Sequence, residues 1–249
     1  MENTVTATKP QFVFADKFVI EDPANAEFYA HLLRGMTHKL NNLLAVIQGF
    51  SSLIMMDEGL DETITENLGH MKEASMNASG LSERVLPAGG CATISIQDLK
   101  LSDFLPMVED SLKEPFDERG IPVNIKCPTD VPAVAADPGR LKDILVELLT
   151  NAAEAAAEGG GQASFEIYKP GEFSAAAKNR VDVLVRNSGS TIPADKLEKI
   201  WEPFYSSKDS KHFGVGLTSA AVLAMQMKMK LGVHSADNTT TFWLSIPAC

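Results

Sequence analysis

A histidine set in an apolar heptad, a polar stripe on a long helix and a glycine-rich turn are the features of this sequence with chemical potential. Met36, Leu40, Leu43, Ile47, Phe50 and Ile54 recur at alternating spacings of 4 and 3, which is a heptad seam. With Met36, Leu43 and Phe50 at d and Leu40, Ile47 and Ile54 at a, His38 falls at f, the position furthest from the seam, and should face water. Asn42 lies four residues on and shares its face. An exposed imidazole on a rigid helix is in good part unprotonated near neutral pH, so it can act as a nucleophile toward a phosphoryl group. A lone surface histidine is commonly without any chemistry. What sets this one apart is the polar cluster Thr37-His38-Lys39 and Asn41-Asn42 inside an otherwise apolar helix.

Further on, Glu147, Asn151 and Glu154 stand at i, i+4 and i+7 of a helix, opposite its apolar face. Such a stripe supplies the oxygen ligands that Mg²⁺ takes beside a triphosphate; a merely solvated helix face would look the same. Gly214-Val215-Gly216-Leu217 at a helix start would let backbone N–H groups approach phosphate, or would simply make a turn. Pro203-Phe204-Tyr205 reads as an apolar pin, or as ordinary packing, at the base of a polar loop from Ser206 to His212. Lys208 and Lys211 could reach phosphates from that loop.

The elements that must position these residues follow from pattern. Residues 1–23 read as an arm. Asp22-Pro23 starts the helix that carries the seam; Asp57 to Glu62 break it, and a second helix continues the pattern with Ile64, Leu68, Met71, Ser75, Ala78 and Val85. Residues 24–88 thus form an antiparallel helical hairpin, which cannot bury its seam alone and calls for a four-helix bundle made by a homodimer. Pro87-Ala88-Gly89-Gly90 marks a linker, and residues 91–249 form a second, α/β-sandwich domain. There the spacing predicts a helix over 101–118, a strand over 123–127, and a long helix capped by Asp137-Pro138 that stops at Gly159-Gly160-Gly161. Strands over 163–168 and 181–185, a short helix over 193–200, a helix over 216–229 and a closing strand over 241–246 complete it. The fold class is α+β.

With 22 Lys+Arg against 33 Asp+Glu the net charge is −11, which disfavours nucleic acid and anionic lipid as partners. No apolar run approaches the roughly 20 residues of a membrane span, and no leader pattern opens the chain, so a cytoplasmic protein is expected. Cys91, Cys127 and Cys249 lack metal-ligand spacing and suit a reducing compartment.

The run from His38 to Ile47 resembles the phosphoacceptor box of bacterial sensor histidine kinases, and the second half of the chain resembles their ATP-binding domain. Ala136 to Leu141 with Glu147 to Ala152 is similar to the lead-in and N box, Arg186-Asn187-Ser188-Gly189 to the first glycine box, Trp201 to Lys208 to the F box, and Gly214 to Leu217 to the second glycine box. The resemblance spans residues 28–247. It implies ATP and Mg²⁺ as cofactors, with Asn151 holding the metal and Glu147 beside it; Asn151, Asn187, Gly189, Lys208, Gly214 and Gly216 would bind the nucleotide. His38, Lys39, Asn42 and Glu147 would be the catalytic set, and a response regulator receiver domain the partner.

The sequence also departs from that pattern. Asn187 stands where the family has an aspartate that accepts the adenine amino proton, Thr191 replaces the second glycine of that box, and a residue in the Lys211-His212 region replaces the first glycine of the next. Lys39 replaces the acidic residue that serves as base. Asn42 matches the residue that positions water for dephosphorylating the regulator. Weakened ATP binding is therefore expected. Three readings follow: a histidine kinase that phosphorylates His38 from ATP and passes the group to an aspartate, a histidine phosphotransferase that makes little use of ATP, and a pseudokinase scaffold.

Overall fold

The computed structural model describes residues 11–15, 23–57, 59–173, 178–206 and 213–249. In chain order the elements are β1 (Val13–Phe14), α1 (Pro23–Ile54), α2 (Glu62–Ala88), β2 (Gln97–Leu99), α3 (Leu101–Asp117), β3 (Val123–Lys126), β4 (Val134–Ala136), α4 (Pro138–Gly159), β5 (Ala163–Tyr168), β6 (Arg180–Ser188), α5 (Gly216–Gln226), β7 (Lys230–Ala236) and β8 (Thr239–Pro247). The chain divides into two compact units, one of residues 1–17, 94–201 and 224–249, the other of residues 18–93 and 202–223.

The first unit is built on a six-stranded sheet in the order β1-β7-β8-β6-β5-β3, antiparallel except for the parallel pair β3 and β5. Its core lies between the sheet and α4. Leu141, Ile144, Leu145, Leu148, Leu149, Ala152, Ala153 and Ala156 are all buried on one side of that helix, and Val181, Val183 and Val185 of β6 with Phe242, Leu244 and Ile246 of β8 are buried with them. Phe104, Leu112 and Phe116 of α3 extend the same core.

The ends of α4 are fixed by local chemistry. Asp137 is its N-cap, accepting from Arg140 N at 3.1 Å and from Ser95 N at 2.8 Å. At the other end Gly160 takes the left-handed conformation, φ 64°, that a residue with a side chain adopts at a cost.

Several expectations are corrected. In the strand over 181–185, valines alternate with Asp182 and Leu184 in the pattern of a strand with one buried face, yet Asp182 and Leu184 are as fully buried as their valine neighbours. The reason is an aromatic cover on the second face: Trp243 Nε1 donates to Asp182 Oδ1 at 3.0 Å, and Trp243 meets Phe12 and Phe14 of the N-terminal arm and Phe173. The arm itself pairs with β7 through Val13 and Phe14. The helix over 193–200 is two 3₁₀ turns, Ala194–Lys196 and Lys199–Trp201. The helix over 216–229 ends at Gln226, because Lys228 turns the chain at φ 55° into β7, a strand that the sequence pattern did not assign. The short pair β2 and β4 was not expected either.

In the second unit α1 and α2 form the hairpin, and α2 runs on through Pro87 to Ala88 before Gly89 caps it, so the expected linker begins two residues later. The contact between the helices is not made by the apolar seam. Thr37, Leu44 and Ser51 of α1 and Leu68, Ser75 and Ser82 of α2, each set at heptad intervals, are the buried residues. Ser75 Oγ donates to the Leu44 carbonyl at 3.0 Å, and Gln48 Nε2 to Ser79 Oγ at 3.4 Å. Small and hydroxyl side chains let the backbones come close, so the seam one residue away points outward: Leu43 is 64% and Phe50 65% exposed, with Met36, Leu40, Ile47 and Ile54 exposed beside them.

Asp137 carries a testable consequence. Burial opposes its ionisation, but N–H groups from Ser95, Arg140 and Gly139 and the nearby Arg140 charge outweigh burial and hold its carboxyl below the usual range. Its stabilisation is complete above about pH 4 and lost as the pH falls through the lowered value. In urea unfolding at pH 7, Asp137→Ala should lose about 1 kcal/mol, with the deficit shrinking in acid below about pH 4.

Candidate functional site

His38 is exposed, as expected, one residue from the buried Thr37 that anchors α1 on α2. Asn42 Nδ2 lies 3.4 Å from His38 Nδ1. The carboxamide donates to an unprotonated Nδ1 or, turned over about its last torsion, accepts from Nδ1–H. The second arrangement leaves the lone pair on Nε2, the outward nitrogen, which is the state a nucleophile needs. Lys39 is exposed beside them, so no carboxylate of the adjacent position takes the proton.

On α4, Asn151 Nδ2 donates to the Glu147 carbonyl and to Glu147 Oε1, both at 2.9 Å. These bonds fix both side chains on the half-exposed side of a helix whose opposite side is locked in the core. Glu154 belongs to the same sequence stripe but serves elsewhere: its Oε1 pairs with Arg119 Nη2 at 3.3 Å. No cluster of three or more His, Cys, Asp or Glu that could hold a metal exists among the described residues. A carboxamide and a carboxylate fit Mg²⁺ that arrives with phosphate oxygens rather than a protein-only cage.

Asn187 sits at the end of β6 and is only 2% exposed, on the same side of the strand as Val181, Val183 and Val185. Gly189 follows at φ 108°, and its N–H donates to the Asn238 carbonyl at 3.1 Å. The end of α4 presses on this turn: a Cβ on Gly159 would lie 2.0 Å from the Gly189 oxygen, and one on Gly161 would lie 2.0 Å from the Ser188 oxygen. Arg186, the first residue of the expected glycine box, turns to the other face and pairs with Glu166 at 2.9 Å.

The first unit holds Glu147, Asn151, Asn187 and Gly189, and the second holds His38, Lys39, Asn42, Gly214 and Gly216. In the second unit Phe204 N–H donates to the Gly214 carbonyl at 2.8 Å, with φ of 64° and 66° at the two residues. A Cβ on Gly214 would lie 2.5 Å from the Tyr205 carbonyl oxygen, so glycine is required where the two ends of the intervening loop meet. Gly216 opens α5. Lys208, Lys211 and His212 lie outside the described residues.

The sequence reading missed the pairing of Gly159 and Gly161 with the Ser188-Gly189 turn. The signal was present in the three consecutive glycines, more than a helix stop needs. It also missed the covering partner of Glu154, because Arg119 is 35 residues away in the chain. Gly159→Ala should destabilise the first unit by about 1–3 kcal/mol, read as a lower urea midpoint, whereas Gly139→Ala, whose Cβ would meet only Asp137 Oδ1 at 3.4 Å, should cost less.

Residues 136–249 match the family of histidine kinase-, DNA gyrase B- and HSP90-like ATPases. Over 196 residues, or 75% of this chain, the sequence is 29% identical to the sensor kinase CckA of Brucella abortus, of which the match covers 20%. The crystal structure of full-length ShkA in complex with AMPPNP aligns with 88% of this chain and 46% of that one at a TM-score of 0.71 and 21% identity. That of the histidine kinase ThkA in complex with the response regulator protein TrrA aligns with 91% of this chain and 64% of that one at a TM-score of 0.60 and 21% identity. The chain spans from 20% to 60% of the length of the curated relatives it matches.

Proposed function

We propose that this chain, whose residues 136–249 match the family of histidine kinase-like ATPases and which is similar to sensor histidine kinases along most of its length, is the phosphotransfer part of a two-component system. In this reading residues 24–88 are the phosphoacceptor hairpin, residues 91–249 the ATP-binding domain, and the work is done in the cytoplasm, where ATP is. The observation that carries it is the exposed His38 held by Asn42 on a helix whose neighbouring stripe is anchored.

The nucleotide is held by the first unit, with Asn151 and Glu147 beside Mg²⁺ and Asn187 at the base. Mg²⁺, when bound, neutralises charge on the phosphates as the bond to ADP breaks. His38 Nε2 attacks the γ-phosphorus with its lone pair, the N–P bond forms as the bond to the ADP oxygen breaks, and the Nδ1 proton leaves to water. Asn42 keeps the proton on Nδ1 until then, taking over the orienting part of a task that Lys39, a side chain of donors alone, does not perform. A receiver-domain aspartate then takes the phosphoryl group from His38. ThkA, which shares the fold, is known in complex with a response regulator protein.

A second reading is favoured by Lys39 and Asn187 specifically. Without a base at position 39 and with a neutral group at the nucleotide position, His38 would receive its phosphoryl group from a phosphorylated protein instead, and the ATPase fold would be a scaffold. Incubation with γ-labelled ATP and Mg²⁺ separates the two. The kinase reading expects an acid-labile, base-stable label on the chain that His38→Ala abolishes; label acquired only from a phosphorylated receiver domain supports the phosphotransferase.

The outward seam of α1 fits a second copy of the hairpin, giving a four-helix bundle. The double variant Leu43→Glu, Phe50→Glu should run as a monomer in light scattering at micromolar concentration, with the parent a dimer and the helix content of both alike.

A further inference from the structure

Asn187 carries one feature that a strand end does not explain. Its side chain is 98% buried by the 2% exposure of the residue, yet its amide nitrogen has no hydrogen-bond partner among the described residues. A buried N–H left unpaired is costly, and folded chains keep one where a partner from outside the chain completes it. The neighbouring polar groups are already engaged. Thr240, opposite Asn187 in the β6–β8 register, shares a 2.7 Å hydrogen bond with Ser235 Oγ and donates to the Ser190 carbonyl at 3.3 Å. Arg186 is paired with Glu166.

We propose that Asn187 opens the base-binding end of the nucleotide site to 6-oxopurine as well as 6-aminopurine nucleotides. The inference rests on the reading above that Asn187 meets the base. A carboxylate at this place has only acceptors, so it pairs with an exocyclic amino group and repels a 6-oxo group. A carboxamide has an acceptor and a donor side by side. Against adenine, Oδ1 accepts from the 6-amino group and Nδ2 donates to N1. Turned over about its last torsion, Nδ2 donates to O6 of hypoxanthine and Oδ1 accepts from its N1–H. Both pairings are bidentate and neutral, and both use the orphaned nitrogen, so the choice between the two edges is no longer enforced.

The test is calorimetric titration of the full chain with ADP and with IDP, each with Mg²⁺, for the parent and for Asn187→Asp. The parent should bind IDP within about tenfold of ADP, and Asn187→Asp should favour ADP by about 10- to 100-fold more than the parent does. A parent that binds ADP and refuses IDP by more than about 100-fold overturns the inference while leaving the nucleotide site in place. Binding of neither overturns the nucleotide reading and this inference with it. The ratio in the parent decides alone if Asn187→Asp fails to fold.

Discussion

The apolar face of α4 is the constraint on which the nucleotide side of the molecule depends. Eight of its side chains are buried against the sheet, from Leu141 to Ala156, and a helix held so tightly cannot rotate. Its opposite face therefore presents Glu147 and Asn151 at a fixed height, already joined by two hydrogen bonds. Its last turn lies against the turn that follows Asn187, where glycines at 159, 161 and 189 leave room for backbone to meet backbone. The site residues of the first unit are thus placed by packing, with the polar contacts trimming what the core has set.

The hairpin solves a different problem. A helix pair that buried the seam of α1 internally would leave nothing apolar for a partner. Thr37, Leu44 and Ser51 meeting Leu68, Ser75 and Ser82 let the two helices join through a narrow stripe instead, and the seam stays outside. That choice also fixes His38, which follows Thr37 directly and so lies at the edge of the anchored stripe, rigid in backbone and open to water.

Much of this was legible in the sequence, for reasons that differ by element. Both helices of the hairpin, α3, α4 and the strands β3, β5, β6 and β8 follow from periodicity, and Asp137 and Gly160 are local signals that need no tertiary information. The hidden parts depend on partners far along the chain. Asp182 and Leu184 are buried because an arm from residues 12–14 and Phe173 cover a face that alternation assigns to water. Glu154 looks like a member of the Mg²⁺ stripe until Arg119 takes it. The stripe that joins the two helices was only partly legible, because hydroxyl residues at heptad spacing weigh little in an apolar count, although Leu68, Ser75 and Ser82 repeat every seven residues. Among the site residues, Asn42 was read from its spacing to His38 and does lie within reach of it.

The central claim is that Asn151 holds the metal of a bound nucleotide while Asn187 meets its base, and one measurement addresses it directly. Side-chain amide signals of the two asparagines would be followed by NMR while ADP is added with Mn²⁺ in place of Mg²⁺. The account predicts that the Asn151 signal broadens away first and that the Asn187 signal shifts as its orphaned nitrogen gains a partner. An Asn151 signal left sharp at saturating Mn²⁺ and ADP would contradict it.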